Sequence, residues 1–493
     1  MRAGRGLAPT CLLVCLSGVS GAPGVAQEMI APTDPLPIGS RLQLFVDDGL
    51  IERLDGTRLV LHRPVPREVV FVFDAPWEGP WSGYVTIMQD GERYRMYYRG
   101  GGELTREHTC LAGSADGIRW TRPSLGLFEF EGSKENNIVW TGAQPAYCEA
   151  HNFTPFKDSN PDAPADQRYK AVALTIGQVD GERRPVLVAF ISPDGIRWRR
   201  LQEAPILTEG GFDSQNVAFW DTLQRCYVCY SRAAREGRRS VQRSTSSDFV
   251  HWTRPEWLDL GDRPLEHFYT NGIVPYFRAP HIYLGFPQRF VPERTEVGAD
   301  RRRVDGLSDA VLISSRDGLH WQRTFMEAFL RPGADPANWG GAHGNTCPAW
   351  GILQTGAGEL SLYWADHYGN WPDGLTSVPR LWRGTLRLDG FVSVQAPYEG
   401  GQMLTRPLCF EGRRLLINYA TSAVGYVRVE LQDADGQPLP GFTLDEADEI
   451  YGDEVERVVG WRGGTDVSRL AERPVRVRFV MKDADLYSMR FAP

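Results

Sequence analysis

The chain has 493 residues, 42% hydrophobic and 24% charged, which is too apolar for disorder and long enough for two domains. A formal net charge of -8 offers no basic face for nucleic acid. The 52 Gly, 34 Pro and 15 Trp point to many turns and short strands, hence an all-β chain.

Residues 1–26 read as an export signal. Arg2 and Arg5 supply positive charge, Cys11 to Leu16 form a short apolar core, and Gly24-Val25-Ala26 offer a cleavage site before Gln27. The apolar run is far below the roughly 20 residues that span a bilayer, and no later segment could span one. The expected location is therefore periplasmic or extracellular. Beyond the signal lie Cys110, Cys148, Cys226, Cys229, Cys347 and Cys409. Cys226 and Cys229 stand three apart in a strand-like stretch and so face opposite sides. That spacing reads as two half-buried strand cysteines rather than a zinc knuckle.

Residues 27–62 precede the first repeat and are expected to close or flank it. From residue 63 onward, five units follow. Each opens with a strand, then a turn, then an aromatic strand: Tyr84–Met88 with Arg93–Arg99, Asn152–Phe156 with Arg168–Val172, Asn216–Trp220 with Cys226–Arg232, Asn271–Tyr276 with His281–Phe286, and Asn345–Trp350 with Leu360–Trp364. Four of the five open on Asn. A second pattern, S-x-D-G-x-x-W, follows as Ser114–Trp120, Ser192–Trp198 and Ser315–Trp321, with Ser246–Trp252 lacking the Gly and Asp389-Gly390-Phe391 resembling a worn fifth copy. Asp-Gly is expected to supply turn residues at positive φ, with the Trp returning on the next strand to cover the unit. Four strands per unit and five units predict a five-bladed β-propeller over 63–398. From about Leu404 the pattern gives way to alternating strands, Arg414–Tyr419, Tyr426–Leu431 and Val475–Val480, which predict a C-terminal β-sandwich over 399–493 docked on the propeller.

This arrangement resembles the five-bladed glycosidase clan of invertases, levansucrases and arabinanases, glycoside hydrolase families 32 and 43. Leu44–Asp48, Asn136–Trp140, Gly452–Val459 and Lys482–Tyr487 are similar to uncharacterised exported bacterial proteins near that clan. The resemblance covers nearly all of the mature chain in architecture. The W-x-N-D-P-N, R-D-P and E-C signatures of family 32 have no counterpart in matching context, so its catalytic residues are not carried over.

In a propeller, the starts of the innermost strands and the ends of the second strands share one face of the channel. That rule gathers Glu78, Trp81, Tyr84, Arg99 and Glu103 from the first unit, and Glu149, His151 and Asn152 from the second. The third gives Asp213, Gln215, Asn216 and Arg232; the fourth, Glu266, His267, Asn271 and Arg289; the fifth, His343, Asn345, Asp366 and His367. Glycoside hydrolysis ordinarily uses two carboxyl groups. Asp213 and Glu266, each just ahead of an innermost strand, form the expected pair, with Glu78 third; Asp47 and Asp48 are early alternatives. Trp81, Tyr84, Arg99, His151, Asn152, Asn216, Arg232, Asn271, Arg289, His343, Asn345, Asp366 and His367 are the expected substrate contacts. The histidines read as donors to sugar hydroxyls, and neither a metal nor a cofactor is expected.

Three functions fit these residues: an exported glycoside hydrolase on a poly- or oligosaccharide, a carbohydrate-binding propeller without catalysis, and a sialidase- or lyase-like enzyme on acidic sugars. Arg99, Arg232 and Arg289 each end a second strand, so three guanidinium groups are expected at one channel mouth. An acidic or sulfated sugar would satisfy them.

Overall fold

The computed structural model describes residues 34–101, 107–142, 149–297, 302–339, 345–369 and 378–493. Apart from short 3-10 turns, its regular elements are all strands. No helix among the described residues is long and apolar enough to cross a membrane.

Five antiparallel sheets follow one another along the chain. The first contains Gly83–Asp90, Arg93–Gly100, His108–Ser114 and Trp120–Thr121, with Ile138–Thr141 added at its side. The second runs Thr154–Lys157, Tyr169–Val179, Glu182–Ser192 and Arg199–Arg200. The third runs Val217–Asp221, Cys226–Arg235, Arg238–Ser246 and Glu256–Trp257. The fourth runs Val274–Tyr276, Ala279–Gly285, Ile313–Ser315 and Trp321–Gln322. It carries a side sheet of His267–Phe268, Gln288–Val291 and Leu307–Ala310. The fifth runs Cys347–Pro348, Glu359–Asp366 and Arg380–Arg387, and its outer strand is Val65–Val72 from near the N-terminus.

The repeated heptapeptide is a box of hydrogen bonds. In Ser192–Trp198 the serine hydroxyl accepts the amides of Asp194 and Gly195, Asp194 Oδ1 accepts those of Ile196 and Arg197, and Trp198 Nε1 donates to Gly195 O at 3.1 Å. Ser114–Trp120, Ser246–Trp252 and Ser315–Trp321 repeat these bonds. Only the glycine position takes positive φ, near 73° at Gly117 and Gly195; the Asp is not a left-handed residue in this turn. Phe249 adopts φ 68° in the copy without Gly, and its ring fills the core between the second and third sheets. Asp389-Gly390-Phe391 is not a fifth copy. Asp389 accepts Tyr276 Oη at 2.6 Å and Arg278 Nε at 3.0 Å, anchoring the exit of the chain from the fifth sheet. That sheet needs no such turn, because its outer strand arrives from the other end of the chain.

Tyrosines join consecutive sheets. Tyr97 of the first donates to Gly195 O of the second at 2.8 Å, Tyr227 of the third bonds Asp158 beside the second, and Tyr283 of the fourth bonds Asp221 of the third. Trp350 Nε1 in the fifth sheet reaches Ile273 O at the fourth, and Tyr363 of the fifth donates to Gly117 O of the first at 2.6 Å. Each sheet thus bonds to the next, and the fifth bonds back to the first.

A further ten strands share one hydrogen-bonded network. Leu36–Gly39, Gln43–Leu44, Ile51–Asp55 and Arg58–Leu61 pair here, with Leu408–Phe410, Val475–Ala492, Gly401–Thr405 and Val392–Ala396 respectively. The segments Arg414–Tyr419 and Tyr426–Leu431 are parts of one strand, Arg414–Asp433, whose register with Val475–Ala492 shifts between Thr421 and Tyr426. The sheet wraps a core that includes Phe45, Phe410, Trp461, Phe479 and Phe491. Arg387 of the fifth sheet bonds Asn418 and Tyr419 O, and Arg316 of the fourth pairs with buried Asp47, so the two parts are tied by polar contacts. Cys110, Cys226, Cys229, Cys347 and Cys409 are free thiols, with Cys226 half-buried and Cys229 buried.

Candidate functional site

The starts of the first strands carry unusual backbone. Tyr84, Phe212 and Thr346 all have φ between 48° and 55°, conformations that non-glycine residues adopt at a cost of about 1 kcal/mol or more. Phe212 directly precedes Asp213, and two recurring asparagines hold that loop. Asn152 Nδ2 donates to Phe212 O and Ser214 O at 2.7 and 2.6 Å, and Asn216 Nδ2 donates to the same two carbonyls at 2.7 and 3.0 Å. Their own oxygens accept Leu174 N and Arg232 N. Both side chains are buried and spent on backbone, so their role here is to present Asp213. Asn152 also opens an N-x-T sequon, but no glycan could reach it.

Asp213 accepts His151 Nε2 at 3.1 Å and pairs with Arg232 Nη2 at 3.2 Å, with a third of its side chain exposed. Burial raises its carboxyl, but the His151 hydrogen bond and the Arg232 charge outweigh it and hold the group well below the usual carboxylate range. Behind His151 lies a carboxylate absent from the sequence-derived set. Glu107, almost fully buried, accepts His151 Nδ1 at 2.9 Å and stands 3.6 Å from Arg99 Nη1. The imidazole is thus held from both sides, by Glu107 within and Asp213 without. Glu107 sits one residue before the strand His108–Ser114, a third-strand start that the two-strand rule did not consider.

Arg99 is enclosed. Nε donates to Trp81 O at 2.9 Å, Nη2 to Tyr368 Oη at 2.5 Å, and the Tyr84 ring lies 4.6 Å from Cζ. Burial works against its charge, but Tyr368, Glu107 and Tyr84 keep it firmly protonated. Burial raises the phenols of Tyr84 and Tyr368, and together with the Asp213 charge it pushes Tyr269 up to about 12. Tyr84 and Tyr269, both protonated, therefore stand near the anionic Asp213, and protonated Tyr368 stands on Arg99. Trp81 packs edge-on against Tyr368 at 5.4 Å.

The other expected residues lie in separate clusters. Glu266, 26% exposed, pairs with Arg289 at 3.2 Å and with buried Arg323. Arg289 is also bidentate on Asp309. No residue partners both Asp213 and Glu266 among the described contacts. Glu78 is fully buried, accepting Tyr98 Oη, Ala75 N and two nitrogens of Arg122. Asn271 donates to Gln215 O and Tyr230 O, and Asn345 Oδ1 accepts Tyr368 N; both tie backbone. Gln215 bridges to Val85 O and Thr86 Oγ1 of the first sheet, and buried Glu149 pairs with Arg200. Asp366 and His367 gather with Asp335 closely enough to hold a metal ion. The nearby cation is Arg380, whose Nη2 lies 2.7 Å from Asp366, 2.8 Å from His367 and 3.3 Å from Asp335. Glu103 and His343 fall outside the described residues.

Asp213, His151 and Arg99 thus come together with Trp81, Tyr84, Asn152, Asn216 and Arg232, and with Glu107, Tyr269 and Tyr368, which sequence reasoning missed. A carboxylate held this low is ionised but a weak proton acceptor; it attacks as a nucleophile or stabilises a developing cation, and it does not donate a proton near neutral pH. The buried tyrosines are the proton-bearing groups beside it.

No sequence-family profile and no curated protein matches the chain. Solved structures similar to it include an N-acetylgalactosamine deacetylase from F. plautii in complex with blood group B trisaccharide, at 14% identity and TM-score 0.46 over 66% of this chain and 95% of that one. A Bombyx mori GH32 beta-fructofuranosidase, named for one of the families the sequence resembles, matches at 11% identity and TM-score 0.38 over 88% and 95%. A fructofuranosidase from Schwanniomyces occidentalis complexed with fructosylnystose matches at 10% identity and TM-score 0.40 over 86% and 96%. At that overlap the likeness bears no weight for the site.

Proposed function

We propose that this chain is an exported glycoside-cleaving enzyme. Its catalytic body is a five-bladed propeller within 63–398, braced by a C-terminal β-sandwich over 399–493 to which the strands between Leu36 and Leu61 and the strand Val392–Ala396 add. The head-to-tail order of sheet contacts, with Val65–Val72 completing the fifth sheet, supports the propeller. The observation that carries the cleavage reading is Asp213: a partly exposed carboxylate held ionised by His151 and Arg232 among aromatic side chains. It serves as nucleophile or as stabiliser of the developing cation at the anomeric carbon, and His151, steadied by Glu107, fixes its orientation. Trp81, half-buried, offers a face on which a sugar ring stacks.

A second reading draws on the protonated tyrosines Tyr84 and Tyr269 near Asp213. Eliminative cleavage of a uronate needs a base for the ring proton, a cation on the carboxylate and a proton donor to the leaving oxygen. Asp213, an arginine and a tyrosine fill those parts. Incubation of the purified protein with a polysaccharide panel separates the readings. Hydrolysis releases reducing ends with no unsaturated product; elimination yields one ultraviolet-absorbing unsaturated end per cut. Failure to release either would leave a carbohydrate-binding propeller.

A further inference from the structure

Three arginines were expected to share one mouth, but two of them are satisfied internally. Arg99 is closed in by Glu107, Tyr368 and the Trp81 carbonyl. Arg289 is spent on Asp309 and Glu266. Arg232 is different. Its Nη2 pairs with Asp213, but Nη1 is buried with no hydrogen-bond partner. A buried guanidinium nitrogen without an acceptor loses its hydration for nothing in return.

A second guanidinium contacts the same tyrosine. Arg239 is the second residue of the strand Arg238–Ser246, opposite Ala234, and its backbone amide donates to His267 Nδ1 at 3.2 Å. Its Cζ lies 5.2 Å from the centroids of both Tyr269 and Phe290, while the Arg232 Cζ lies 5.3 Å from the Tyr269 ring. No carboxylate lies within ion-pair distance of Arg239 among the described residues. Two guanidinium groups thus contact one tyrosine, with Asp213 as their single paired carboxylate. The neighbourhood registers the excess. Burial, then Arg239 and Arg238, hold the His267 imidazole below its ordinary value against the opposing pull of Glu293.

We propose that Arg239 and Arg232 Nη1, beside the Tyr269 ring, form a subsite for an anionic substituent of the sugar, a sulfate ester or a carboxylate. This rests on the glycan-cleaving reading and adds the substrate's charge to it. Planar forks hold oxyanions with two parallel bonds, and the stacked rings keep Arg239 in place before the ligand arrives. The test is calorimetric titration with sodium sulfate and, separately, sodium acetate, against sodium chloride at matched ionic strength. Wild type, Arg239→Ala, Arg239→Lys and, as a control on the same hairpin, Arg235→Ala are compared. At least one oxyanion is expected to bind wild type and Arg235→Ala alike. Arg239→Ala should weaken it about tenfold or more, the loss of a charge-assisted hydrogen bond, with Arg239→Lys between, since it keeps the charge and the packed stem. The preferred oxyanion distinguishes sulfate ester from carboxylate. No oxyanion binding by wild type, or equal binding by Arg239→Ala, overturns the subsite. Cleavage of neutral glycans with no oxyanion binding would remove the subsite and leave the cleavage reading. Arg239-dependent oxyanion binding with no glycan cleaved would do the reverse.

Discussion

Replacing Asp213 with Asn keeps the shape of the side chain and removes its charge, leaving His151 and Arg232 without the anion they face. The Asp213 carboxylate makes two charge-assisted contacts, at 3.1 and 3.2 Å. Such bonds are worth about 1.5–3 kcal/mol each when desolvated. A third of the side chain is exposed, so solvent screens part of this, and Asn retains weak hydrogen bonds. A loss of about 2 kcal/mol at pH 7 follows. The folded carboxyl titrates below its unfolded value of roughly 3.9. Its contribution is therefore fully present above that unfolded value and is lost as pH falls through the lower folded one. Asn does not titrate. Urea unfolding of wild type and Asp213→Asn should show a constant gap from pH 7 to pH 5 that narrows below about pH 4. A gap equally wide at pH 3, or no gap at pH 7, would refute the assignment of Asp213 as an ionised, paired group.

Glu266→Gln should destabilise by about 3 kcal/mol or more in urea, because buried Arg323 loses its paired charge. A variant as stable as wild type would show that the clamp is not structural. Asn152→Ala removes two donors from the Phe212 and Ser214 carbonyls and one acceptor from Leu174 N, and should cost about 3 kcal/mol. It should also lower the cleavage rate constant at a temperature where the variant remains folded; an unchanged rate would mean that Asn152 does not position Asp213.

The body of the fold was legible because its signal is local. Ser, Asp, Gly and Trp at fixed spacing close the same hydrogen bonds wherever they occur, so Ser114–Trp120 and Ser192–Trp198 announce the same hairpin. Closure of the fifth sheet was not legible at Asp389-Gly390, because pairing Val65–Val72 with Arg380–Arg387 joins segments more than 300 residues apart and leaves no turn to read. Within the site, counting strand starts and ends found Asp213, His151 and Arg99. It could not tell Asn152, spent on backbone, from a ligand-facing asparagine. Glu107 and Arg239 escaped for another reason: one begins at a third strand and the other lies past a hairpin tip, where the two-strand rule does not reach. Which arginine has a carboxylate partner is set by side-chain packing, and periodicity carries no trace of it.

Asp213 stands at the centre of the proposed glycan-cleaving site. The most direct test of that role is release of reducing or unsaturated ends from a panel of neutral, uronate-bearing and sulfated polysaccharides, run side by side with wild type and Asp213→Asn at pH 7. Wild type is expected to cleave at least one anionic glycan, and Asp213→Asn, still folded, to be slower by about a hundredfold or more. Cleavage by Asp213→Asn at the wild-type rate would contradict that role, as would no cleavage by wild type across the panel.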